Sequence, residues 1–281
     1  MEHVNLLRRA KHLFRLYGFF PKKRFGQNFT IDSEILDRLV AHASLSKDDV
    51  VLEVGAGFGF LTQLLSRECK KVIAVEVDSQ LVAFLQEQLH SLQNVELIEG
   101  DILDVSLPSF NKVVSAPPYS ISSPLLFRLL EYNFDSAVLI FQKEFAERLA
   151  ASVGTKNYGR LTVNIYYRAD VELLEYVPRT IFYPPPDVDS MIVRLTPKAP
   201  PFHVDDEKMF AEIVRILFTQ RNKKVRNSLI FFLRQRQLPK KDAIDLADSM
   251  IYSEKRVREL APEDFGILTN ELIKNLSISS T

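Results

Sequence analysis

From about residue 50 to residue 140, short β-rich apolar runs alternate with stretches of helical period. Val50–Val54, Lys71–Val75, Val95–Ile98, Lys112–Ser115 and Ala137–Phe141 read as strands, with Leu61–Glu68, Ser79–His90 and Pro124–Tyr132 as helices between them. Strand and helix in alternation predict a mostly parallel sheet covered by helices on both faces. Arg160–Arg168 and Asp189–Leu195 add two β-like runs, expected to form a terminal hairpin. The Pro-rich stretch "TPKAPPF" at 196–202 reads as a linker. Beyond it, Glu207–Phe218, Val225–Gln235, Lys241–Tyr252 and Pro262–Asn275 have helical period. The expected organisation is therefore an α/β domain over residues 1–197 and a small all-helical domain over 198–281.

Composition narrows the class. A chain of 281 residues with 46% hydrophobic and 26% charged residues reads as an ordinary globular protein able to bury a sizeable core. No window approaches the roughly 18 uninterrupted apolar residues of a membrane span. A single cysteine, Cys69, excludes an internal disulfide framework and points to a reducing cytoplasm. Five scattered His residues give no metal-site spacing, so no metal is expected.

Net charge is zero but unevenly spread. Residues 1–24 carry seven cations against Glu2 alone, and residues 215–241 carry nine cations and no acid. Two basic patches on a neutral chain fit a polyanion held at defined places. The N-terminal patch has the charge of a targeting presequence but no Ser, and it runs unbroken into the Gly26 region. It reads as an integral helix.

In "VVLEVGAGFGFLT", Gly55, Gly57 and Gly59 follow a strand and precede a helix. Glycine lets the chain turn sharply and lets a ligand lie against bare backbone. A dinucleotide fingerprint needs a glycine at residue 60, which is Phe, so a nicotinamide oxidoreductase is disfavoured. Glu76 ends the second strand, where a carboxylate can accept ribose hydroxyls. Asp101 follows the third, where it can accept from an exocyclic amine such as that of adenine. Ligands of such sheets sit beyond the carboxyl ends of the strands. An adenosine-containing cofactor without a pyrophosphate fits this order.

The segments "KKRFGQNF", "EVGAGFGFLT", "VEVD", "GDILD", "FYPPPDVDSMIVRL" and "FTQRNKKVRNSL" occur in one order from about residue 20 to 270. In this the chain resembles the KsgA-type dimethyltransferases of small-subunit ribosomal RNA. Its short N-terminal lead and lack of a long C-terminal extension are similar to archaeal members. The resemblance implies a Rossmann-like class I S-adenosylmethionine-dependent methyltransferase domain followed by a small helical domain. It implies dimethylation of N6 of two adjacent adenosines near the rRNA 3′ end, on a pre-assembled small subunit, with a role in late assembly. The partners it implies are the small ribosomal subunit and its rRNA, approached by a cytoplasmic monomer. By motif match, Gln27, Asn28, Thr30, Gly55, Gly57, Glu76, Val77, Asp101 and Ile102 would line the cofactor, and Tyr119 and Phe182 would hold a flipped base by stacking. Lys22, Lys23, Arg24, Arg221, Lys223, Lys224 and Arg226 would meet RNA. On helical spacing, Arg221, Lys224 and Ser228 are expected to share one face.

The chain departs from the family at "VVSAPPYSISSP". Ala116 occupies the position of the family's Asn, followed by Pro117, Pro118 and Tyr119. In the family that Asn oxygen and the next carbonyl accept the two amine hydrogens and free the N6 lone pair. Losing one acceptor costs about 1–3 kcal/mol, roughly ten- to a hundredfold in rate. The Pro117 carbonyl remains, and Ser115 and Ser120 are candidates to reach the amine. A weakened or inactivated enzyme is expected. The alternatives are an assembly factor that docks on the small subunit without methylating, and a large-subunit adenine methyltransferase of the antibiotic-resistance type.

Overall fold

The chain alternates because each crossover helix carries it back to the end of the sheet where the next parallel strand starts. A computed structural model describes residues 6–22 and 25–278. The elements run α1 (Leu6–Tyr17), β1 (Phe29–Thr30), α2 (Ser33–Ala43), β2 (Val50–Val54), α3 (Phe60–Glu68), β3 (Lys71–Glu76), α4 (Ser79–Leu89), β4 (Val95–Glu99), β5 (Lys112–Ser115), α5 (Ser122–Leu129), β6 (Ser136–Gln142), α6 (Lys143–Leu149), α7 (Arg160–Tyr166), β7 (Ala169–Val177), β8 (Phe182–Tyr183), β9 (Ser190–Pro197), α8 (Glu207–Thr219), α9 (Val225–Gln235), α10 (Lys240–Ser249) and α11 (Pro262–Ile278).

Seven strands form one sheet in the order β4-β3-β2-β5-β6-β9-β7. β2 pairs in parallel with β3 and β5, β3 with β4, and β5 with β6, while β9 runs antiparallel to β6. The strand order reverses at β2, and the glycine turn leaves the sheet there, as ligand sites of open sheets do. A second, two-stranded ribbon pairs β1 with β8, Thr30 standing opposite Phe182.

The described residues pack as two compact units, those up to 146 with 171–197, and 147–170 with those from 198 onward. In the first, Leu13, Leu39, Leu65, Leu85, Val114, Ile140 and Ile192 belong to one buried core. In the second, Tyr158, Val163, Phe210, Phe232 and Phe265 belong to another. Residues 147–170 thus pack with the helices that follow the linker, where the sequence pattern placed them before it. No helix among the described residues is long and apolar enough to cross a membrane.

The structure corrects the expected hairpin. Residues 160–166 are a helix, and the strand beside β9 is β7. "RLTVNIYYR" has the β-branched alternation of a strand, but Leu161, Thr162, Val163 and Ile165 bury together on a helix. Its start is fixed when the Thr162 hydroxyl accepts from Gly159 N–H at 3.2 Å and donates to the Arg148 carbonyl at 2.7 Å. β7 lies at the sheet edge with Asp170 and Glu172 exposed, a charged pattern that hides its strand character.

Candidate active site

The site begins with backbone conformation. Gly55, Gly57 and Gly59 have φ of 78°, 57° and 72°, the left-handed region that side chains disfavour. Gly55 N–H donates to the Val75 carbonyl at 2.8 Å, pinning the turn to the end of β3. A Cβ on Gly59 would come within 2.9 Å of Leu85 Cδ2, so a side chain there would push the Leu85 terminus aside. A Cβ on Gly55 would touch Pro118 at 3.4 Å, so this turn and the 116–119 segment already lie side by side.

Two buried carboxylates stand behind the turn. Glu76 Oε2 accepts from Gly57 N–H at 2.9 Å, and Oε1 accepts from Val77 and Asp78 N–H, both at 3.0 Å. Burial raises the Glu76 pKa against the pull of these three donors. Glu53, within the apolar run of β2, accepts from the Thr62 hydroxyl at 2.6 Å. Burial pushes its carboxyl up to about 8, with Thr62 lowering it and the Glu76 charge raising it further. Glu53 lines the cavity and was not singled out by motif spacing. A charged residue inside "VVLEV" is the signal that marks it.

Asp78 joins three segments. It caps α4 by accepting from Gln80 N–H at 3.2 Å, and it accepts from Lys22 Nζ at 2.7 Å and Gln27 Nε2 at 2.9 Å. Burial raises its pKa, but Lys22 and Gln27 outweigh burial and hold it below the usual carboxylate range. Gln27 also accepts from Lys22 N–H at 2.8 Å, and Asn28 donates to the Gly26 carbonyl at 3.2 Å. Asp101 Oδ1 accepts from Leu103 N–H at 2.9 Å, which orders the turn after β4 and buries Ile102.

Residues 116–119 leave the end of β5. Tyr119 is bound through its hydroxyl to Ser190 at 2.6 Å, and burial pushes its pKa up to about 12. Its ring lies 6.2 Å from that of Phe182 at 78°, so the two aromatics meet edge to face. Ser115 does not face the amine position expected for it. It is fully buried, donates to the Val54 carbonyl at 2.6 Å and accepts from Val54 N–H at 3.3 Å, stitching β5 to β2. Ser120 does reach the cavity wall.

One cavity of about 310 Å³ gathers these groups. Gln27, Asn28, Thr30, Gly55, Gly57, Glu76, Val77, Asp101 and Ile102 all line it, as do Ala116, Pro117, Pro118, Tyr119 and Phe182.

The basic residues are arranged otherwise than spacing predicts. The Lys22 ammonium is spent on Asp78, and Lys23 and Arg24 lie outside the described residues. In the second unit Arg221, Lys224 and Ser228 do not share a helix face. Arg221 sits in the turn before α9, Lys224 caps that helix, and Ser228 is fully buried. Arg221 donates to the Lys156 and Thr155 carbonyls at 2.8 and 2.9 Å, anchoring the "GTKNYG" loop. Lys224 pairs with Glu254, and Arg226 with Asp248. Lys223 is exposed, with no side-chain partner among the described residues.

The family model described as "Ribosomal RNA adenine dimethylase" matches residues 18–274. A probable ribosomal RNA small subunit methyltransferase A from Methanosarcina acetivorans is 46% identical over 250 residues, covering 88% of this chain and 92% of the relative. The protein of the same description from Pyrococcus abyssi is 41% identical over 268 residues, covering 95% and 97%. A dimethyladenosine transferase from Plasmodium falciparum superposes with a TM-score of 0.74 at 34% identity, covering 87% of this chain and 96% of that one. The 23S rRNA methyltransferase ErmE superposes with a TM-score of 0.64 at 30% identity, covering 88% and 100%. With a class I methyltransferase sheet, a helical C-terminal region and motifs matched along nearly its whole length, the chain belongs to the ribosomal RNA adenine dimethylase family.

Proposed function

We propose that the cavity holds S-adenosylmethionine on its carboxylate side and an adenine base on its Tyr119–Phe182 side. The chain is an S-adenosylmethionine-dependent rRNA adenine N6,N6-dimethyltransferase of the small subunit. Its targets are two adjacent adenosines near the rRNA 3′ end. The observation that carries this reading is that the glycine turn, Glu76, Asp101 and the Tyr119–Phe182 pair line a single cavity.

The residues fit the cofactor. The glycine turn leaves bare backbone where a side chain would close the space toward Pro118. Glu76 Oε2 takes only the Gly57 N–H and keeps a lone pair for a ribose hydroxyl. Asp101 uses Oδ1 for Leu103 and keeps Oδ2 for an adenine amine. Val77 and Ile102 offer apolar faces to the adenine ring, while Gln27, Asn28 and Thr30 close the remaining side. When bound, the cofactor supplies an electrophilic methyl group.

Tyr119, fixed through Ser190, and Phe182 hold the target ring, which must be unstacked to enter. The Pro117 carbonyl accepts an N6 hydrogen and turns the lone pair out of conjugation. No strong base is required, because the proton leaves after transfer. In the second unit Lys223 is the direct phosphate contact, while Arg221, Lys224 and Arg226 contribute positive field from within their own pairings. Lys23 and Arg24 add a second basic contact, with Lys22 contributing positive field from its pair with Asp78. The chain acts as a cytoplasmic monomer on the assembled small subunit.

The test is methyl transfer from labelled S-adenosylmethionine to unmethylated small subunits, with the product mapped by mass spectrometry. Dimethyladenosine at two adjacent positions near the 3′ end is expected. Label on large-subunit RNA instead, or on protein, would overturn the reading.

A further inference from the structure

We infer, building on the adenine-N6 reading above, that the acceptor turn is matched to N6-monomethyladenosine better than to unmodified adenosine. The second methyl transfer then runs at least as fast as the first, and the chain discriminates by the methylation state of its own substrate.

The inventory of acceptors around residues 116–119 carries this. The side chains are a methyl, two proline rings and a phenol, and the phenol is engaged by Ser190 at 2.6 Å. The Pro118 carbonyl accepts from Ile121 N–H at 3.2 Å, and the Tyr119 carbonyl accepts from the Ser122 hydroxyl at 2.9 Å. The Ser115 hydroxyl is closed into its exchange with Val54. Apart from the Ser120 hydroxyl, what remains on this wall is the carbonyls of Ala116 and Pro117.

Those two carbonyls cannot converge on one amine. A residue before proline is held in the extended or polyproline region, which applies to both Ala116 and Pro117. Pro118 itself has φ −57° and ψ 131°. With about three residues per turn, successive carbonyls of such a segment point about 120° apart. One carbonyl therefore serves the amine, and the neighbouring surface is the Ala116 methyl, which packs against the first unit's core.

An unmodified adenine amine brings two N–H groups to a wall with one acceptor. The second N–H finds no acceptor on this wall, a loss of about ten- to a hundredfold. N6-methyladenine brings one N–H for the carbonyl and one methyl for Ala116. In either transfer the N6 lone pair forms the new N–C bond as the methyl–sulfur bond breaks. The electrons of that bond stay on sulfur, and the ammonium proton on N6 leaves to water. Only the first transfer has a hydrogen without an acceptor. Ser120, whose Oγ lies 3.1 Å from a Cβ built on Gly26, is the rival hydroxyl next to this turn on the cavity wall.

The experiment uses small subunits carrying either adenosine or N6-methyladenosine at both target positions. Single-turnover transfer is followed on each, and equilibrium binding of each is measured without S-adenosylmethionine. Premethylated subunits are expected to react about ten- to a hundredfold faster in their single remaining step. They are also expected to bind at least as tightly, and monomethyl product does not build up on the unmodified subunits. Ala116→Asn restores a side-chain acceptor and is expected to speed the first transfer far more than the second. Accumulation of monomethyladenosine, equal acceleration of both steps by Ala116→Asn, or a slowed first step in Ser120→Ala overturns the inference and leaves the dimethyltransferase reading standing. No transfer to either subunit overturns both.

Discussion

The two sides of the cavity present polar groups by opposite means. Around Glu76 the chain uses charged side chains, each braced by backbone N–H groups that fix its direction. Around Ala116 it presents mainly backbone, with proline fixing the direction of the carbonyls. A carboxylate can be removed by one substitution, whereas a carbonyl cannot. The difference teaches that side-chain deletions strike the first side hard and the second side gently.

Glu76→Ala should have the largest effect. Three backbone N–H groups lose their acceptor together, at about 1–3 kcal/mol each before relaxation. Calorimetry should show S-adenosylmethionine binding weakened about a hundredfold, and thermal unfolding should fall with it. A variant with native stability and affinity would break the contrast at its strong end.

Glu53→Gln comes next and acts through pH. The folded-state pKa of about 8 lies above the ordinary 4.5, so between those values the native protein keeps a proton that the unfolded chain has released. Stability from this group is therefore full below 4.5 and falls as pH rises toward 8, by about 1 kcal/mol per pH unit. Gln keeps the Thr62 hydrogen bond and cannot ionise, so denaturant unfolding of the variant should lose that part of the slope. An unchanged slope would mean Glu53 is not the buried acid it is taken to be.

Tyr119→Phe should have the smallest effect. It removes the bond to Ser190, about 1 kcal/mol, and keeps the ring against Phe182. Methyl transfer should stay within about threefold of native. A hundredfold loss would show that the phenol hydroxyl works in the reaction, and that the second side is not read by backbone alone.

Much of the first unit was legible because its strands are apolar runs bounded by glycine and acid. β2 and β5 end where the pattern places them, and every residue assigned to the cavity by motif lines it. The rest failed for local reasons. α7 carries β-branched residues whose helix is imposed by Thr162 and by burial against its own unit, neither visible as a period. β7 is an edge strand with charge on its outer face. The shared face of Arg221, Lys224 and Ser228 failed because the helix starts only at Val225, so their spacing is not counted along a helix. The Lys22–Asp78 pair was not legible because Asp78 lies far along the chain.

The ribbon of Phe29–Thr30 against Phe182–Tyr183 sets a limit on how this protein can change over evolution. In a paired strand, one inserted or deleted residue flips every side chain to the other face. Here the flip would turn Thr30 and Phe182 out of register together, although more than half the chain separates them in sequence. Length is therefore frozen in both segments, while composition can still drift.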